Sequence, residues 1–187
     1  MPLFNFTPFP VLKTKNLILR QISLDDDKEV FELRSNPETM KFIPRPLAEN
    51  IEDAQKFVTE CNDAIEKNEL INWAITLKKD NKLIGMIGFF RMQPENFRAE
   101  VGYILNPNFH GKGIMKEALD EALKFGFEIM KLHSIEAVID PKNVASEKLL
   151  RKAGFDKEAH FKENFFYDGA FLDTVIYSLL KSAKVVR

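Results

Sequence analysis

The run Asn106-Pro-Asn-Phe-His-Gly-Lys-Gly-Ile-Met115 follows a stretch that alternates like a strand and opens straight into residues with apolar positions at helical spacing. A strand, a glycine-bearing turn and a helix start, in that order, aim several free backbone amides at one point. The positive end of the helix dipole favours an anion such as a phosphate there. Gly111 and Gly113 permit the tight turn and keep side chains out of a ligand's way. A Gly-x-Gly turn alone is weak evidence, because many strand-to-helix loops use glycine only for its backbone angles. Gly-x-x-x-x-Gly-Lys-Ser/Thr is absent, and so are the third glycine and downstream acid of a dinucleotide fold, which disfavours nucleotide hydrolysis and hydride transfer.

A second segment, Asn143-Val-Ala-Ser146-Glu-Lys-Leu-Leu150-Arg-Lys-Ala-Gly154-Phe155, reads locally as a capped helix. Asn143 is an N-cap, Ser146 a first-turn residue and Gly154 a C-cap. Its spacing also resembles the pattern Asn-x-x-Ala/Ser-x-x-x-Tyr-x-x-x-Gly-Phe of the GNAT superfamily of N-acetyltransferases. His110-Gly-Lys-Gly113-Ile-Met115 resembles that family's Gln/Arg-x-x-Gly-x-Gly/Ala coenzyme loop, with His110 in place of Gln or Arg and Met115 in place of the final small residue. Asn36-Pro-Glu-Thr-Met-Lys-Phe42, Ala99-Glu-Val-Gly-Tyr103 and Tyr167-Asp-Gly-Ala-Phe-Leu-Asp173 look like its RimJ/RimL branch of ribosomal-protein N-terminal acetyltransferases. The resemblance spans about residues 15 to 181.

The resemblance implies acetyl-CoA as cofactor and direct attack of an amine on its thioester. The main-chain amides of Gly111, Lys112, Gly113, Ile114 and Met115 would wrap the diphosphate, with His110 beside them. Asn143 would face the pantetheine arm, and main-chain groups at Ile104 and Leu105 would serve the oxyanion. Leu150 stands where many members carry a tyrosine that protonates the thiolate, and leucine cannot donate a proton. Ser146 is then the candidate acid or hydrogen-bond donor to sulfur. Glu100, in the strand entering the site, is the candidate base; a solvated strand residue is its plainer reading. Alternation puts Glu100 on one strand face with Gly102 and Ile104, and Val101 on the other with Tyr103. Trp73, Phe165, Phe166 and Tyr167 are candidates for an acceptor pocket. His133 and His160 lack partners at ligand spacing, so no metal site is expected.

The elements that must position these residues follow from periodicity. A strand is expected over 16–22, then a helix from Ser23, with Asp26 completing a capping box, to about Ser35, ended by Asn36-Pro37. A second helix is expected from about Asn50 to Asn68, with Ile51, Ala54, Phe57, Val58, Cys61 and Ile65 on one face. Strands over 71–78 and 82–91 form a hairpin around 79–81. A strand over 98–105 leads through the glycine loop into a helix ending near Met130, and a strand over 134–140 completes a parallel crossover. A short helix closed by Gly154 and a hairpin of 157–166 with 171–180 around Asp168-Gly169 follow. The class is mixed α/β (α+β), a GNAT-like three-layer sandwich: a mostly antiparallel central sheet with one parallel crossover pair, flanked by helices.

A chain of 187 residues fits a single domain, 1–187, with 1–15 as an extended apolar N-terminal arm. The 27 basic and 28 acidic residues leave a net charge of -1, which gives no field for nucleic acid. The lone Cys61 fits a reducing compartment and a cytoplasmic location, and no run is apolar and long enough for a membrane span. The expected partner is an amine acceptor, either a protein N-terminus or a small molecule such as an aminoglycoside or polyamine, and the expected assembly is a monomer or homodimer. A catalytically silent acyl-CoA-binding module is the rival reading, kept open by Leu150 and Met115.

Overall fold

A computed structural model describes residues 4–182. Strands β1 (Leu12–Lys13), β2 (Leu17–Gln21), β3 (Ile71–Leu77), β4 (Asp80–Gln93), β5 (Arg98–Leu105), β6 (Ser134–Ile139), β7 (Asp156–Tyr167) and β8 (Ala170–Leu180) form one sheet in the order β1-β2-β3-β4-β5-β6-β8-β7. Every neighbouring pair is antiparallel except β5 and β6, which run parallel across the crossover. Helices α1 (Asp27–Ser35), α2 (Pro37–Met40), α3 (Ile51–Glu66), α4 (Ile114–Glu128) and α5 (Val144–Ala153) complete the chain.

The expected segments form with small shifts at their ends. Asn50 caps α3 by accepting from the Asp53 amide at 3.0 Å, and the helix buries Ala54, Val58, Cys61 and Ile65. Asn36 does more than end α1: its side chain accepts from the Glu38 amide at 2.9 Å and so starts α2. The β3–β4 turn lies at Lys78–Lys79, not at 79–81, because bulges at Ile75 to Leu77 let Leu77 pair directly with Asp80. In the last hairpin Asp168 and Gly169 both adopt left-handed angles, φ 48 and 76, which matches the twist of a two-residue turn.

Strand alternation sorts the helices into two outer layers. Asn72 reaches Cys61 of α3 on one face, while Trp73 meets Phe125 of α4 edge-on, with ring centroids 5.3 Å apart, on the other. Following the register across, Asn72, Gly88 and Gly102 form one row beneath the α1–α3 layer; Trp73, Ile87 and Tyr103 form the matching row beneath α4 and α5. The described part of the arm is fastened down. Phe6 is buried and its amide donates to Asn68 at 2.8 Å, and the Trp73 indole donates to the Pro10 carbonyl at 2.8 Å. Its Leu12–Lys13 segment joins the sheet as β1, while residues 1–3 lie outside the described residues.

One polar lock fixes where α4 begins. Glu117, in its first turn, accepts from the Thr14 hydroxyl, from the Asn16 amide at 2.7 Å and from the Asn16 side chain at 2.8 Å. Burial pulls its carboxyl pKa up, but these donors outweigh it and hold the group below the usual glutamate range. Glu117→Ala is therefore expected to lower stability by about 1–2 kcal/mol in urea denaturation. The contribution should be present above the ordinary glutamate pKa and fade as pH falls through the depressed folded value. An unchanged midpoint at neutral pH would show that the lock carries no stability.

Candidate active site

β5 pairs with β4 from Arg98 to Leu105 with one irregularity at Ala99, and β6 pairs with β8 over Ser134–Ile139. Between themselves, however, β5 and β6 pair only at Arg98–Ser134, Ala99–Ile135 and Glu100–Glu136. Each strand follows its outer neighbour, and the sheet splits into two halves beyond the Glu100–Glu136 rung. The cleft so opened is bordered by Val101–Leu105 on one side and Ala137–Ile139 on the other. Backbone groups of β5 that a continuing β6 would have paired are left facing it, which costs free energy unless water or a ligand pairs with them.

The glycine loop lies at the wide end of this cleft. Asn106 starts it, accepting from the Asn108 amide at 3.0 Å, and a short turn over Pro107–Phe109 places the His110 amide on the Pro107 carbonyl at 3.0 Å. The His110 ring turns back to the end of β5, where Nε2 meets the Leu105 carbonyl at 3.1 Å; a carbonyl only accepts, so this nitrogen carries the proton. Gly111 and Gly113 follow with φ 72 and 76. α4 then starts at Ile114, which is buried and anchors the turn, with Met115 packed against the core. Among the described residues the amides of 111 to 116 have no acceptor.

These residues fit a diphosphate. A Cβ built at Gly111 or Gly113 would meet no protein atom within 4 Å, so the ground in front of the free amides is open. The N-terminal end of a 15-residue helix stands behind them. Lys112 donates to the Asn108 carbonyl at 2.8 Å, with its cation 5.3 Å from the Phe109 ring centroid, and so braces the loop's outer edge.

At the narrow end, the two faces of β5 carry different chemistry. Glu100 lies on the α1–α3 face, ion-paired with Arg91, and its parallel neighbour Glu136 is paired with Arg98. The Glu100 side chain is 14% exposed, and burial raises its pKa. Arg91 opposes that shift and Glu136 adds to it, with a net rise above the ordinary glutamate value. On the other face the Tyr103 hydroxyl meets the Ser146 hydroxyl at 2.6 Å. Burial pushes the Tyr103 pKa up to about 12, with the Ser146 bond acting against it, so the phenol stays neutral at physiological pH. Asn143 accepts from the Ser146 amide at 3.0 Å and so fixes the first turn of α5. Leu150 is fully buried one turn further on.

The fold thus sets Glu100, Ile104 and Leu105 along the β5 border of the split, the loop 110–115 at the end of β5, and Ser146, beside the Asn143 cap, against Tyr103, so that Glu100 and the Tyr103–Ser146 contact lie on opposite faces of β5. Trp73 is a correction: it is 0% exposed and packed among Phe9, Phe89 and Phe125, and so cannot line an acceptor pocket. Phe165 and Phe166 are exposed on the β7–β8 hairpin. Sequence reasoning missed the Arg91, Arg98 and Glu136 partners and the Tyr103–Ser146 contact. A carboxylate inside the otherwise apolar Ser134-Ile-Glu-Ala-Val-Ile139 was the available signal for Glu136.

Comparison with known proteins agrees with this geometry. The family model described as an acetyltransferase (GNAT) domain matches residues 16–156. An N-acetyltransferase of Bacillus subtilis, YoaA, whose own role is uncharacterised, is 34% identical over 173 residues, covering 92% of this chain and 98% of its own. A GNAT-family acetyltransferase from Bacillus anthracis superposes with a TM-score of 0.83 at 31% identity, over 92% of this chain and 99% of that one. RimL, a ribosomal-protein α-N acetyltransferase solved in complex with coenzyme A, shares the fold with a TM-score of 0.83 at 20% identity, over 93% and 99% of the two chains.

Gly113→Val tests the loop. A β-branched residue at φ 76 is strained by roughly 1–2 kcal/mol, and its side chain would stand before the free amides. Coenzyme A affinity in calorimetry should fall about tenfold or more. An unchanged affinity would remove the diphosphate from this loop.

Proposed function

The chain belongs to the GNAT family of acetyltransferases, and on that premise we propose that it acetylates the α-amine of a protein N-terminus, with Glu100 as base and Ser146 as hydrogen-bond donor to the leaving sulfur. It is an acetyl-CoA-dependent N-acetyltransferase acting on amines. The observation that carries it is the Glu100 carboxylate, kept mostly out of water at the rung where the sheet splits, with its pKa raised toward the range a base needs.

Acetyl-CoA supplies an acetyl carbonyl activated by a thiol leaving group, and the protein has four jobs around it. The amides of 111 to 115 hold the diphosphate, which fixes the coenzyme's position along the cleft. The open backbone of β5 near Ile104 and Leu105 offers donors where negative charge builds on a carbonyl oxygen. Glu100 takes the proton of an incoming ammonium, directly or through water, and Arg91 opposes the rise that burial imposes on its pKa. Ser146 serves the sulfur. Its hydroxyl has one proton to give, and the Tyr103 phenol can donate to the Ser146 oxygen, which leaves that proton free to point into the cleft.

This pair supports turnover over the rival reading of a silent binding module. The residue at 150 has no hydroxyl, yet Tyr103 brings one within 2.6 Å of Ser146 from the neighbouring strand. With a pKa of about 12 the phenol acts as a neutral donor and positioning group, not as the acid itself. RimJ/RimL-like stretches at 36–42, 99–103 and 167–173 favour a protein α-amine over a small amine.

The pH profile separates these roles. Activity should fall as pH drops through the Glu100 pKa, at a pH above the ordinary glutamate value, and Glu100→Gln should lower kcat by about 10²–10⁴-fold. Arg91→Met removes a charge that lowers the Glu100 pKa, so the acid limb should move to higher pH. Tyr103→Phe should reduce kcat at every pH without moving that limb. An acid limb unmoved in Arg91→Met would take the base role from Glu100.

A further inference from the structure

A pocket of about 190 Å³ opens between α3 and the sheet on the Glu100 face, lined by Phe57, Glu60, Cys61, Leu70, Asn72 and Phe90. Phe90 connects it to the reaction centre: it is the cross-strand partner of Glu100, and its ring lies against Gly102, the next residue on that face of β5. The pocket and the candidate base therefore share a wall.

Its chemistry is mostly apolar. Cys61 and Asn72 are buried, and Phe57, Leu70 and Phe90 are half-buried. Asn72, 2% exposed, donates to the Cys61 sulfur at 3.7 Å, but its Oδ1 has no partner. Turning the amide over would only exchange which end is unpaired. A buried amide end without a partner is costly, and an occupant or its water would complete it. In size, an apolar cavity of about 150 Å³ is enough for a benzene ring. A whole drug-sized ligand would not fit. One side chain would.

The charges nearby speak against a polycation. Glu60, the only carboxylate of the lining, stands 3.8 Å from Lys56; Glu100 is paired with Arg91, and Glu136 with Arg98. The Arg34 guanidinium lies 4.3 Å from the ring centroid of Phe57, and burial and then the nearby Arg45 hold its pKa down. A polyamine entering here would find a single exposed carboxylate, Glu60, with Lys56 beside it and the Arg34 cation against the Phe57 ring, and it would bring no apolar surface to the walls.

We propose that this pocket receives the first side chain of the acceptor, and that the enzyme acts on N-termini beginning with a large apolar residue, of leucine to phenylalanine or tyrosine size. The assignment rests on the protein α-amine reading above: the α-amine stands at Glu100 and the side chain reaches past Phe90 to Leu70 and Phe57. A hydrophobic pocket discriminates by about ten- to two-hundredfold per missing methylene at best, so selectivity between leucine and alanine should be at least tenfold.

The test measures kcat/KM for the full chain with acetyl-CoA and peptides that differ only in their first residue, with spermidine as a separate substrate. Leu-, Phe- and Tyr-initial peptides should exceed Ala- and Ser-initial ones by about tenfold or more. Leu70→Trp, which fills the pocket, should collapse that ratio toward one, and Phe57→Ala, which enlarges it, should keep a preference for large residues; circular dichroism and coenzyme A binding confirm that each variant is folded. Equal rates for Leu and Ala, or a preference for Ala and Ser, would overturn the pocket assignment and leave the α-amine reading standing. Turnover of spermidine with none of any peptide would overturn both.

Discussion

The parting of β5 from β6 after a single parallel stretch is the constraint on which everything else depends. Parallel strands joined through α4 would ordinarily pair along their shared length, but β6 is held over six residues by β8 and β5 over seven by β4. The two half-sheets follow their own partners, and the sheet opens beyond Glu100 and Glu136. A cleft lined by main-chain groups results, with a helix N-terminus at its wide end and two half-buried carboxylates, Glu100 and Glu136, at its narrow one. No side chain had to be hollowed out of a core to make it.

The same split separates the tasks. Because consecutive residues of β5 face opposite ways, Glu100 addresses the α1–α3 side and Tyr103 the α4–α5 side. The proposed base, Glu100, and the Tyr103–Ser146 pair therefore lie on opposite faces of β5 without competing for space. Each is tuned by a neighbour the other does not touch: Arg91 and Glu136 act on Glu100, and burial with the Ser146 contact acts on Tyr103. The Glu117 lock serves this arrangement at a distance, since it ties the first turn of α4, and with it the loop amides, to the β1–β2 turn.

Much of this was legible in the chain because it is local. The 111–115 turn, the Asn143 and Gly154 caps, and the Asp168-Gly169 turn are set by residues a few positions apart, and all three stretches take the backbone expected of them. The parallel crossover followed from strand, helix, strand order. What stayed hidden depends on register and on face. Which side of β5 carries Glu100 needed the cross-strand rows. Glu136 sits beside Glu100 only because the parallel pairing starts at Arg98 and Ser134, and Tyr103 meets Ser146 only because α5 crosses that face. Trp73 misled because a large aromatic with a polar edge suits a pocket as well as a core; here its indole proton is spent on the arm, at Pro10. The pocket beside Phe90 combines residues from α3, β3 and β4, a conjunction that sequence spacing does not express.

The central claim is that the main chain at the mouth of the split grips the coenzyme. Amide exchange, followed residue by residue with and without coenzyme A, addresses it directly, because the amides of 111 to 116 have no acceptor among the described residues and should exchange quickly when free. Saturating coenzyme A should slow exchange at these positions and along Val101–Leu105 on the open side of β5. Binding that protected other regions while leaving 111 to 116 as fast as before would contradict the account.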